Sequence, residues 1–394
     1  MILESQKKLY RTKIDQFIKR LEALILSQYE LLEAEFANSK DPVPFGERLR
    51  LQYQRIEEGQ EWGQAWESAW FHLQGRIPEK WQEQEVVAHL DFNGEALIFS
   101  PQGDPLQGLT NGSVFGNVTR HTFILTPKAQ GGEPVDLWVE GAANSIMGIN
   151  QPSDPPRGTV DRQGNYLGKV NRMRIARFHR ELYALRLDME LLNGLLDTVP
   201  EFSTRHARIL KSLVESTNGF RDDPDRAGIC REILAPLLAH PAHSSAPTLI
   251  TVGHAHIDTG FLWPVRETIR KAGRTFASQL DLIERYPDYV FGASQPQHYQ
   301  FVKDHYPNLY ERIKKAVAEG RWELQGGMWV EPDCNLISGE SMVRQVIHGK
   351  NFFMDEFGVE VTNCWIPDVF GYSASMPQIL KRAGIHYLLT QKMS

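Results

Sequence analysis

Cysteine is scarce: Cys230, Cys334 and Cys364 are the only three in a chain of 394 residues. They are odd in number and too far apart for a Cys-x-x-Cys clip. That argues against a disulfide framework and a thiolate zinc site, and it fits a reducing compartment. Long apolar runs are also missing. No stretch approaches the ~20 residues a membrane span needs, and the start MILESQKKLYRTK lacks the apolar stretch of a secretory signal. The expectation is a cytoplasmic protein with no membrane partner. No basic block stands out either: 43 Lys and Arg against 49 Asp and Glu leave a net charge of -6, which makes nucleic acid a poor partner. Two glycosylation patterns, at Asn111 and Asn117, matter only in a secreted chain and carry no weight.

What is present is an ordinary globular composition, 41% hydrophobic and 23% charged, in a chain long enough for two or three domains at roughly 150 residues each. Ile14, Phe17, Ile18, Leu21, Leu24 and Ile25 recur three and four apart and predict a packing helix in a helical segment over 1–60. Short strand-like runs follow at Trp70, Val86, Glu95, His121 and Asp136. Turn residues such as SPQGDPLQGL separate them, predicting a β-sandwich over 61–150 with its aromatics in the core. The Pro- and Gly-rich stretch from Gln151 reads as a connector opening a linker and helical region over 151–246. Ile175, Phe178, Leu182, Leu185, Met189, Leu192 and Leu196 form an apolar seam there, read as a helix packed on its own chain rather than a coiled-coil dimer.

From 247 to 394 strand and helix alternate. Strands are expected at Thr248, Tyr289, Arg321, Val361 and Ile385, with helices from Pro264 to Arg285, from Gln297 to Glu319, after Ser338 and from Ser375 to Ala383. Five strands joined by four helices imply a parallel α/β sheet, barrel or open. Such folds place their sites beyond the carboxyl ends of the strands. Those loops are rich: HAHIDTGFLW after the first strand, QPQ after the second, GGMWVEPD after the third, PDVFGY after the fourth and Gln391-Lys392 after the fifth. His256 and Asp258 are two apart at an extended strand end, so both leave on one side, and imidazole with carboxylate is a normal zinc-type ligand set. His254 shares their phase. A polar structural cluster is the competing reading. Asp368, at the matching end of another strand, makes a third ligand, and a metal-held carboxylate can also attack an anomeric carbon. Phe261, Trp263, Trp329, Phe370 and Tyr372 beside these acids could stack on a pyranose, with core packing as the alternative for each.

The segments HAHIDTGFLWP, GGMWVEPDCNLISGESMVRQ and CWIPDVFGYSASMPQILKRAGIHYLLTQK resemble the class II α-mannosidases of glycoside hydrolase family 38. WFHLQGRIPEKW and GDPLQGL upstream resemble its cytosolic and vacuolar branch. The resemblance implies a (β/α)7-type barrel, here truncated after about five strands, and retaining hydrolysis of α-mannoside oligosaccharides. It makes His256, Asp258 and Asp368 ligands of Zn2+ or Co2+, with Asp368 also the nucleophile and His254 behind the ligands rather than among them. Phe261 stands where the family usually carries a sugar-stacking Trp. Lys392 stands where Golgi-type relatives keep an Arg, and lacks that planar fork. Trp329, Asp333 and Glu331 lie in the loop bordering the sugar. Family members continue well past the point matching Ser394, where their acid/base Asp and last His ligand lie. The expectation is therefore a front portion, inactive alone, partnered by a C-terminal half or by further copies of itself. The rival readings are a noncatalytic sugar-binding remnant and a metal-dependent polysaccharide deacetylase.

Overall fold

The computed structural model describes residues 4–112, 119–144, 167–242 and 244–393. The connector expected from Gln151 and the pattern at Asn117 lie outside them.

The chain opens with α1 (Glu4–Ile25), then β1 (Tyr29–Leu31), β2 (Glu33–Ser39), β3 (Gln54–Arg55), β4 (Glu61–Gln64), β5 (Ser68–Arg76), β6 (Val86–Asp91), β7 (Glu95–Phe99), β8 (Pro105–Leu109), β9 (Thr122–Thr126), β10 (Pro134–Ala142), β11 (Leu167–Lys169) and β12 (Arg172–Arg177). Two antiparallel sheets form from these strands, ordered β1-β12-β6-β9 and β3-β2-β5-β10-β7-β8. The sandwich thus draws strands from before residue 61 and from beyond 150. Over 33–36 exposed and buried positions alternate as in a half-buried strand, Ala37 is buried as well, and Glu33–Ser39 pairs with β5 over its full length. Of the expected apolar seam, Ile175 belongs to β12 and Phe178 precedes the helix. The segment starts as a strand because Arg172–Arg177 pairs with β6.

Strands β5, β7 and β10 are buried on both faces. Phe71, Ile98 and Val139 point into the sandwich core, and their neighbours Trp70, Leu97 and Trp138 pack against the next layer. The sandwich aromatics are therefore core on either side of the sheet.

Four helices make a separate core: α1 with α2 (Arg180–Leu195), α3 (Thr204–Gly219) and α4 (Ala227–Leu238). Ile14, Phe17 and Leu21 meet Leu182, Leu185, Met189 and Leu213 there. The seam is satisfied within its own chain.

The last region alternates β13 (Gly253–His254), α5 (Val265–Arg285), β14 (Phe291–Ala293), α6 (Pro296–His305), α7 (Pro307–Ala318), β15 (Trp322–Leu324), α8 (Gly339–Phe357), β16 (Asn363–Trp365), α9 (Met376–Arg382) and β17 (Tyr387–Leu389). β13-β14-β15 and β16-β17 are parallel. Asn363 joins the two sheets by accepting from the Gly326 amide at 2.9 Å. Two expectations are corrected. The helix over 297–319 is broken at Tyr306, whose φ of -139° leaves the helical region, because Pro307 has no N–H to continue the ladder. The strand at Thr248 shrinks to Gly253–His254, since 248–252 has no ladder partner among the described residues and leaves Leu249 and Ile250 exposed. Among the described residues, no helix is long and apolar enough to cross a membrane.

Candidate metal centre

Every loop singled out by position lies at the carboxyl end of a parallel strand. His256 and Asp258 follow β13, Ser294 and Gln295 follow β14, Glu331 follows β15, Asp368 follows β16 and Lys392 follows β17. The turn after β15 needs its glycine. Gly326 has φ +99°, and a Cβ there would lie 2.2 Å from the Ser294 carbonyl oxygen.

His256, Asp258 and Asp368 each offer a ligand atom within 4.8 Å of the others. Nε2 of His256 is 3.4 Å from Oδ1 of Asp258 and 3.8 Å from Oδ2 of Asp368. On the far side of the ring, Nδ1 lies 2.7 Å from Oε2 of Glu331, a carboxylate only 4% exposed. Its other oxygen accepts from Ser294 Oγ at 2.7 Å. Both ring nitrogens are buried and neither meets these carboxylates in hydrogen-bonding geometry, so Nδ1 faces Glu331 and Nε2 faces the other two carboxylates at ion-pair distance only. An orphaned imidazole nitrogen facing two carboxylates is a donor set that fits a divalent cation. Asp368 follows a strand more than 100 positions beyond the one that carries His256 and Asp258, so its convergence on them is a property of the fold.

The charge balance follows from this crowding. Burial pushes the His256 pKa down, but the Asp258 and Glu331 carboxylates outweigh it and raise it to about 10. His254, burdened by burial and then by the charge of His256, is held down at about 4. It stands 3.4 Å from Ser294 Oγ and against the Trp365 ring, outside the triad. His298, which shares a 2.9 Å contact with Thr259 Oγ1, is lowered to about 3 by burial and then by His256.

Lys392 joins the triad: its Nζ is 2.8 Å from Oδ1 of Asp368 and 4.5 Å above the Phe370 ring. Phe370 is 81% exposed and Phe261 is also open, its ring edge-on to Trp263 at 5.7 Å. Trp329 turns to Gln297, donating from Nε1 to Oε1 at 3.0 Å, and packs on Phe352. Asp333 accepts from the amides of Asn335 and Leu336, which hold its carboxyl below the usual range. Tyr372 donates to the Val369 carbonyl at 2.7 Å and also meets Thr390, tying the Asp368 loop to the end of β17.

Gln295 escaped assignment from sequence. Its amide donates to Ile257 O at 2.7 Å while its carbonyl accepts from Thr259 Oγ1 and the Glu331 amide, so one side chain knits three of the loops together. The only signal was its place at a strand end.

Comparison with known proteins agrees with this layout. Residues 246–394 match the glycosyl hydrolases family 38 N-terminal domain, and residues 29–176 match the jelly roll domain of α-mannosidase. Alpha-mannosidase 2C1 of Homo sapiens is 34% identical over 360 residues, covering 89% of this chain and 33% of its own length. Alpha-mannosidase G of Dictyostelium discoideum is 30% identical, covering 94% of this chain and 34% of its own length. An alpha-mannosidase of Saccharomyces cerevisiae is 29% identical, covering 87% and 32%. The chain spans about one third of the length of these relatives. The strand-end cluster falls inside one matched segment and the sandwich inside the other: residues 246–394 belong to the glycosyl hydrolases family 38 N-terminal domain, and residues 29–176 to the α-mannosidase jelly roll.

Proposed function

We propose that this chain carries the nucleophile and part of the metal site of a retaining α-mannosidase. The observation that supports it is the convergence of His256, Asp258 and Asp368 within 4.8 Å, with Lys392 on the remaining oxygen of Asp368. Nitrogen and carboxylate donors suit zinc, with cobalt accepted by the same set. His256, Asp258 and Asp368 would hold such an ion, which when bound would supply positive charge to the Asp368 carboxylate and to vicinal sugar hydroxyls. The carboxylate of Asp368 attacks C1 of the mannoside, forming a glycosyl ester as the aglycone leaves. Water then cleaves that ester, and two inversions give net retention. Lys392 orients the attacking carboxylate, and Phe261 offers an open ring for the apolar face of the sugar. Trp329, held by Gln297 of α6, and Asp333, engaged within its own loop, shape the rim. The proton for the leaving group is assigned to no residue of this chain.

The parallel strand–helix order from β13 to β17 supports reading this region as part of a (β/α) barrel, and three free cysteines, all buried, suit a cytoplasmic setting.

A mannosyl fluoride bearing fluorine at C5 tests the nucleophile, because fluoride leaves with little help from an acid. Incubation with the zinc-loaded chain should give a mannosyl adduct on the peptide holding Asp368, absent in Asp368→Asn. An adduct elsewhere, or none, would reject the assignment. Release of acetate from an N-acetylated glycan would favour the deacetylase reading.

A further inference from the structure

The joint between the sandwich and the α/β region is ionic and buried. Glu95 of β7 and Glu140 of β10 face Glu267, Arg270, Lys271 and Arg274 of α5, three acids against three bases, none more than 7% exposed. Most of these contacts stay within the joint: Arg270 donates to Glu267, to Ser68 Oγ and to the Gly141 carbonyl. Lys271 differs. Its Nζ pairs with Glu95 on one side, and on the other lies 4.6 Å from the Trp263 ring centroid. Trp263 closes the loop that begins at His256. Its Nε1 donates to Thr268 Oγ1 at 3.0 Å, Thr268 Oγ1 donates to the Asp258 carbonyl at 3.4 Å, and its ring meets Phe261 edge-on at 5.7 Å.

We propose that Glu95 and Lys271 are positioning residues for the sugar site: the sandwich carboxylate holds the Lys271 ammonium against Trp263, and Trp263 fixes Phe261 and the Asp258 segment. This rests on the α-mannosidase reading for its ligand. A cation over an indole face is worth most when water is excluded, as it is here. Burial pulls the Lys271 pKa down and the Glu95 carboxylate opposes it, so loss of Glu95 removes both the partner that holds the ammonium against Trp263 and the charge that offsets its burial. Thr268 sits on α5 itself, so the same helix that docks on the sandwich also carries the second tie to the loop. The two halves of the chain therefore act on one another through α5 rather than only lying side by side.

The test needs no turnover. The chain is labelled with 5-fluorotryptophan, and the Trp263 line among the nine tryptophans is identified by its loss in Trp263→Phe. Lys271→Met and Glu95→Gln should each shift and broaden that line, Lys271→Arg should restore it, and Glu140→Gln, whose ion pair is with Arg270 rather than Lys271, should leave it unmoved. Methyl α-D-mannoside should bind the zinc-loaded Lys271→Met and Glu95→Gln chains about three- to tenfold more weakly than wild type. An unchanged Trp263 line in both variants, or an equal change in Glu140→Gln, overturns the proposal. A wild-type chain that binds no mannoside overturns the hydrolase reading instead, and the fluorine line still decides the coupling.

Discussion

Glu331 Oε2 lies 2.7 Å from Nδ1 of His256, and Glu331 is itself fixed by Ser294 and, through its amide, by Gln295. A carboxylate behind a ligating imidazole selects the tautomer that presents Nε2 and raises the basicity of that nitrogen. Glu331→Gln keeps the shape and removes the charge, and it should weaken zinc binding by about 10- to 100-fold. Competition with a chromophoric chelator measures this directly, and an unchanged dissociation constant would show that Glu331 is only a packing partner.

The raised pKa of His256 makes metal binding compete with a proton. With the ring held at about 10 against an ordinary 6.5, the metal-free site is protonated at neutral pH. Zinc must displace that proton, so affinity should rise by up to about tenfold per pH unit below pH 10. The metal-free chain shows the opposite trend. A folded-state pKa above the unfolded one contributes stability that is fully present below pH 6.5 and is lost as pH climbs through 10. Calorimetric titration with zinc in two buffers of different ionisation heat should register about one proton released per ion at pH 7. No release would mean that the ring is already neutral.

Lys392 places a partly exposed cation beside Asp368, the proposed ligand. Replacement by Met should tighten zinc binding a few-fold, because a like charge near the ion is removed, and the gain should shrink as salt is added. The same variant should slow formation of the mannosyl adduct, since Asp368 loses the group that holds Oδ1. Tighter metal binding together with faster adduct formation would contradict the orienting role.

The site was more legible in the sequence than the sandwich was. His256, Asp258, Asp368 and Lys392 stand where strand–helix alternation puts strand ends, and that rule needs only periodicity. Glu331 was visible as a loop acid, but its burial under His256 depends on how the β15 turn folds, which no spacing encodes. The limits of the sandwich were missed for a different reason. EAEFANS at Glu33 and RMRIAR at Arg172 do alternate, but each is short, and the run from Ile175 to Leu196 fits helical spacing almost as well. Pairing with β5 and β6, distant in sequence, decided both. The break at Pro307 was readable from its chemistry, and a strong helical pattern on either side masked it.

Gly349 in α8 separates intrinsic helix preference from packing. Glycine inside a helix ordinarily costs about 1 kcal/mol relative to alanine, so propensity alone favours Gly349→Ala. Here a Cβ would lie 2.5 Å from the Gly327 carbonyl oxygen and 2.6 Å from the Met328 carbonyl carbon, both rigid backbone atoms. Helix α8 would have to move off the turn that leads to Glu331. Overpacking against backbone costs roughly 1–3 kcal/mol, which exceeds the propensity gain, so the net effect should be destabilising. Urea denaturation should show a lower midpoint with an unchanged slope. Because the displaced turn carries Glu331, zinc affinity should fall in the same variant. A midpoint that rises would mean that α8 approaches the turn less closely than this packing requires, and the support for His256 would then have to come from Ser294 and Gln295.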